Sequence, residues 1–237
     1  MGRWRYAFAV AAWCILCAGT VAPAQQIDNA AILQRIDAAV KARLDGIEGY
    51  TVTEHYAVFR NHDEALTVAE MTVKTTYKRE TGKSYEILSE SGSALMRSLV
   101  LHAILDNEKQ VNEPGVREGA WITTANYEMH VKPGGTQSVD GRDCVALSLR
   151  PRRKEPYLLE GTLWVEAKDG NIVRIEGDGS KSSSVFTGAT HLMRQYANVD
   201  GFAQAVHARA ESDSFLFGPT VLKIDYLDYR VELRSAP

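Results

Sequence analysis

The sequence has little cysteine, no metal-binding spacing, no excess of positive charge and no apolar run long enough to span a bilayer. Each absence removes a class of protein. Cysteines stand only at 14, 17 and 144. The first two fall in the leader described below, so Cys144 remains alone and no internal disulfide can form. Stability has to come from packing. Lysine and arginine number 27 against 30 aspartate and glutamate, a balance that argues against a nucleic-acid binder. The six histidines, His55, His62, His102, His130, His191 and His207, are scattered without H-x-H or H-E-x-x-H spacing, so neither a metal nor another cofactor is expected. No G-x-S-x-G elbow occurs, and Ser91-Gly92-Ser93 reads as a helix cap. Gly177 to Lys181 lacks the G-x-x-x-x-G-K-[ST] spacing of a phosphate loop and reads as a flexible connection.

The longest apolar run, residues 6–19, falls short of the ~20 residues that span a bilayer. Arg3 and Arg5 precede it and Ala22-Pro23-Ala24 follows, the pattern of a signal peptide removed after Ala24. Neither Trp13 before Cys14 nor Leu16 before Cys17 is the small residue that lipid attachment requires. An exported chain is expected, with residues 25–237 as one domain.

What is there is mostly β. Residues 28–44 place Ile32, Leu33, Ile36, Ala39, Val40 and Leu44 at helical spacing behind a cap at Asp28 or Asn29. Strands are expected at 50–59, 65–79 and 84–90, where β-branched and aromatic residues dominate. Residues 93–105 (SALMRSLVLHAIL) break the pattern with a helix apolar on nearly every side. Strands return at 127–131, 144–150, 158–166, 172–176, 191–199, 202–214 and 221–233. Turn signals lie between them at Pro133-Gly134-Gly135, Asp140-Gly141, Asp169-Gly170 and Asp200-Gly201. The expected fold is α+β: a single curved antiparallel sheet of about ten strands, a half-open barrel, with two helices covering its concave face.

Candidate chemistry is sparse. Asp225 with Asp228, and Glu211 with Asp213, have the residue type for acid–base work but sit on strands whose solvated face explains them equally. Arg152, Arg153 and Lys154 form the one concentrated basic patch, a hairpin tip or a contact for anionic head groups or an acidic partner. The feature richest in content is apolar: Leu95, Met96, Leu99, Val100, Ile104 and Leu105, with Trp121 and Trp164, read either as a plain core or as a lid and cavity lining.

The order of elements, the opening strand TVTEHYAVF, and the strand pair Gly161-Thr162-Leu163-Trp164-Val165 and Asn171-Ile172-Val173-Arg174-Ile175-Glu176 resemble the LolA/LolB-like superfamily of periplasmic lipoprotein carriers and its MucB/RseB-like relatives. The resemblance implies an unclosed barrel whose concavity holds an acyl chain, a lipid or a lipoprotein, with a role in outer-membrane lipoprotein sorting. It also implies no enzymatic activity, a periplasmic location and Arg79 as a candidate for the carriers' functional arginine. An interaction module engaging an envelope membrane protein is the alternative on the same scaffold, and a hydrolase is a third class.

Overall fold

Alternation of buried and exposed side chains runs along strand after strand, and this period of two is what one covered sheet face requires. The computed structural model describes residues 28–61, 63–181, 190–214 and 218–235. Helix α1 (Asn29–Gly46) leads into β1 (Ile47–Arg60), β2 (Ala69–Lys78) and β3 (Gly82–Gly92). A second helical stretch, α2, is built from Ala94–Met96, a π-helical segment Arg97–His102, and Ala103–Val111. After a 3-10 turn at Arg117–Ala120 come β4 (Tyr127–Val139), β5 (Arg142–Pro151), β6 (Leu159–Glu166), β7 (Ile172–Gly179), β8 (Thr190–Val199), β9 (Phe202–Ser214) and β10 (Gly218–Leu233). Among the described residues no helix is long and apolar enough to cross a membrane.

The ten strands form one antiparallel sheet in the order β3-β2-β1-β10-β9-β8-β7-β6-β5-β4. The first and last strands therefore pair at its centre, His55 opposite Asp225. The two edges, β3 and β4, are consecutive in the chain and do not pair. Residues 93–126 run between them, so the barrel is half open and α2 belongs to the connection across the gap.

Two large apolar clusters, with a smaller one around Ile47, Tyr50 and Val52, lie on the covered face. Ile32 and Ile36 of α1 pack with Tyr127, Met129, Leu147 and Leu163 over β4 to β7. Met96, Leu101 and Leu105 of α2 pack with Tyr56, Val58, Met71 and Ile224 over β1, β2, β9 and β10. Asp28 caps α1 by accepting from the Ala30 N–H at 2.9 Å. Arg79, the candidate functional arginine, donates to the carbonyls of Leu44 and Ile47 at the other end, the place where a cation complements the helix dipole.

Pro133-Gly134-Gly135, expected to be a turn, lies inside β4. The pairing with β5 jumps there from Val131 to Thr136, and Gly134 and Gly135 take positive φ. On an edge strand a proline loses no ladder bond, so a bulge absorbs what the sequence marks as a break. The Asp140-Gly141 and Asp200-Gly201 turns stand where expected, all four residues at positive φ.

Candidate functional site

The π-helical segment decides which face α2 buries. In a regular α-helix Met96 would share its face with Leu99 and Val100. Widening the turn toward i→i+5 spacing instead aligns Met96, Leu101 and Leu105, which are 3%, 0% and 6% exposed. Leu95 and Leu99 are turned out, 54% and 51% exposed. Val100 and Ile104 are partly buried against the same cluster. Of the six expected lid residues, then, two line the sheet, two flank it and two face outward. Leu101 is the most deeply buried side chain of the helix.

Charged groups clasp α2 at both ends. Glu90 on β3 accepts from Arg97 at 2.5 Å and bonds His102 Nε2 at 2.8 Å. These contacts hold the Glu90 carboxyl below its ordinary pKa, the His102 bond foremost. At the other end Glu108 projects from α2 into the concavity. Lys83 Nζ of β3 lies 2.8 Å from its Oε2, and Arg194 of β8 lies 3.6 Å from its Oε1. The Lys83 ammonium chiefly, against the opposing effect of burial and with help from Arg194, holds Glu108 down to about 2. Burial alone would lower the Lys83 and Arg194 pKa values, but Glu108 and neighbouring tyrosines keep both well above the usual range. All three groups are charged at neutral pH.

Around this triad the concave face is polar and aromatic rather than greasy. Glu54, 2% exposed, accepts from the Tyr56 hydroxyl two residues along β1. Arg117 donates to the Tyr77 hydroxyl at 3.1 Å. Tyr77 stacks on Tyr50 at 5.0 Å, and Tyr50 in turn leans on Tyr229 at 5.8 Å. Arg43 of α1 donates to Gln204 at 3.0 Å. Burial pushes the hydroxyls of Tyr85 and Tyr226 well up, so both are neutral donors. Among the described residues, Tyr85 Oη, Thr75 Oγ1, Gln204 Nε2 and Arg194 Nε are buried without a protein partner, and buried polar atoms ordinarily find one.

The other sequence candidates lie elsewhere. Trp164 alternates with Leu163 and Val165, which belong to the α1 cluster, and so faces the opposite, convex side of the sheet, where Arg174 sits 5.5 Å over its ring. Trp121 is half-buried in the connection, its carbonyl accepting from Asn126. Arg153 donates to Asn126 Oδ1 at 2.9 Å and to the Gly119 carbonyl, and Arg152 donates to the Thr124 carbonyl at 2.9 Å. Both pin the 117–126 connection to the β5–β6 loop, while Lys154 is exposed. Asp225 bonds His207 at 2.7 Å and Glu211 pairs with Arg209 at 2.7 Å, which is structural pairing rather than a cleft. His62 lies outside the described residues, as does the expected signal peptide at 1–24. A cavity of about 360 Å³ is lined by Arg142, Glu166, Gln195 and Tyr196, none of them on α2. Among the described residues no cluster of three or more His, Cys, Asp or Glu is placed to hold a metal.

Comparison with known proteins returns no matching family model and no matching curated sequence. Solved structures do match in layout. A LolA superfamily protein from Nitrosomonas europaea superposes with TM-score 0.42 at 15% identity, over 88% of this chain and 94% of that one. An outer membrane lipoprotein-sorting protein domain from Vibrio parahaemolyticus gives TM-score 0.48 at 13% identity, over 86% and 94%. MucB, solved in complex with the periplasmic part of MucA, gives TM-score 0.27 at 10% identity, over 88% and 100%.

Proposed function

We propose that this chain is an exported, non-enzymatic binding protein, a carrier or sensor that admits the acyl chain of a lipid or lipoprotein between α2 and the concave face of the sheet. One observation carries the reading. The half-open sheet is covered, over β1, β2, β9 and β10, by a helix that lays an apolar face on the strands yet is fastened at its ends by ion pairs, whose bonds can exchange for water. Each methylene removed from water contributes ~0.8 kcal/mol, so a sixteen-carbon chain offers on the order of 12 kcal/mol before ordering and lid-opening costs. That is ample to displace the packing of Met96, Leu101 and Leu105. A signal peptide at 1–24 and a periplasmic location belong to the same proposal.

The test is native mass spectrometry of the protein purified from the envelope of a bacterial host, followed by denaturing extraction. Co-purified lipid or acylated protein, reduced in Ile104→Glu, is the expected result. A protein that emerges empty and fails to take up a fluorescent fatty acid would sink the reading. The half-exposed Leu95 and Leu99 favour a second one, an interaction module whose outer α2 face engages an envelope protein. An empty protein that captures such a partner through these two leucines would support it.

A further inference from the structure

The acyl-chain reading leaves open why the concavity holds two partly buried cations. Lys83 and Arg194 reach it from β3 and β8 and meet a single carboxylate, carried by α2 and not by the sheet. We infer that Lys83 and Arg194 form a site for the anionic head group of the ligand, a carboxylate or phosphate, and that Glu108 occupies this site as an internal substitute while α2 is closed. The inference rests on the function proposed above and adds the polar end of the ligand.

Three features of the geometry support it. Glu108 satisfies its partners unequally: 2.8 Å to Lys83 is a hydrogen bond, whereas 3.6 Å to Arg194 is an ion pair without one. Arg194 Nε and the Tyr85 hydroxyl have no protein partner, so donors remain for an anion with more acceptor positions than one carboxylate oxygen offers. Second, the fully buried carboxylate nearby, Glu54, takes its bond from a phenol, Tyr56, rather than from a cation. Among the described residues, Glu108 is then the one carboxylate within ion-pair distance of Lys83 and Arg194. Third, Glu108 follows Leu105 by three residues, hence on the same face of α2, and Leu105 belongs to the apolar cluster. A chain displacing that cluster would bring its head to the two cations. The ligand's anion and Glu108 then compete for one place, and occupancy by the ligand releases α2, so binding and lid opening are one equilibrium.

The experiment is calorimetric titration of the protein with laurate, with the neutral monoester monolaurin, and with inorganic phosphate. Glu108→Gln removes the competing charge while keeping shape. Loosening α2 favours both amphiphiles, but only the anion gains the freed cations, so laurate should tighten about tenfold more than monolaurin, the worth of one charge-assisted hydrogen bond. Lys83→Met and Arg194→Met should each weaken laurate about tenfold relative to monolaurin. Phosphate binding to the Glu108→Gln protein as tightly as laurate would support the anion site with a free anion as its ligand. Tightening of both amphiphiles equally would mean that the substitution only loosens α2, and would overturn the inference. Monolaurin binding that ignores all three substitutions, with laurate no tighter, would overturn the inference and leave the function standing. Failure of both amphiphiles to bind in every variant would overturn both. Should Glu108→Gln fail to fold, by circular dichroism, the two methionine variants decide the matter alone.

Discussion

The two helices cover halves of one sheet and are attached to it in opposite ways. α1 is continuous, and its fastenings reach the backbone: Asn29 accepts from the Val131 N–H, Asp37 accepts from the Thr124 N–H and hydroxyl, and Arg35 donates to the Ala167 carbonyl. α2 is interrupted by a π turn, exposes two leucines, and is held by side-chain ion pairs at Glu90 and Glu108. Ion pairs at partly exposed positions exchange for water cheaply, whereas backbone bonds on a packed element break with the fold. The difference teaches that burial alone does not make two helices equally permanent: Ile36 and Leu101 are both fully buried, yet only one stands on an element built to stay.

Equal burial gives the sharpest way to break the contrast. Ile36→Ala should cost ~2–4 kcal/mol of global stability in denaturant unfolding, through lost transfer energy and a cavity. Leu101→Ala should cost less globally and appear instead as faster hydrogen exchange confined to residues 94–111. If the two substitutions lower the unfolding midpoint alike and leave exchange of α2 unchanged, the helices are energetically equivalent and the lid reading loses its basis.

Acid should separate the helices next. A carboxyl whose folded pKa lies below its unfolded value supplies stability above the unfolded value and loses it as pH falls through the folded one. Glu108 sits at about 2 against an ordinary 4.5, and Glu90 is lowered as well. Exchange of the 94–111 amides, corrected for its intrinsic pH dependence, should therefore be flat from neutrality to about pH 4.5 and rise from there toward about 2. Glu108→Gln should remove most of that rise. A parallel rise in α1 would show that the acid response is global.

How much of this was legible in the sequence follows the range of the forces involved. Local periodicity exposed α1 through Ile32 and Ile36, and most strands through alternation. Alternation also carried the signal that misplaced Trp164: with Leu163 and Val165 in the core, the residue between them had to face the other way. The sheet order was not legible, because pairing β1 with β10 is a contact between the two ends of the domain. Nor was the π turn, which rotates the buried face from Leu99 to Leu101 without changing composition. The polar layer escaped entirely, since Lys83, Glu108 and Arg194 come from three elements and only the fold brings them together. A faint mark existed in the row Leu101, Leu105, Glu108, which sets a charge on an apolar face. Arg153 read as one of three residues of a basic patch, and only the fold shows it spent on the connection.

The smallest expected effect tests the π turn itself. Leu99 is half exposed and belongs to neither apolar cluster, so Leu99→Glu should shift stability by less than ~0.5 kcal/mol. Leu101→Glu, two residues on, would bury an unpaired carboxylate and should open α2 at neutral pH. A regular α-helix through this stretch would reverse the order, since Leu99 would then share the face of Met96. Measured by thermal unfolding together with exchange of residues 94–111, a Leu99→Glu protein as damaged as Leu101→Glu would place the buried face on Leu99. The π turn would then have no part in setting which side of α2 meets the sheet.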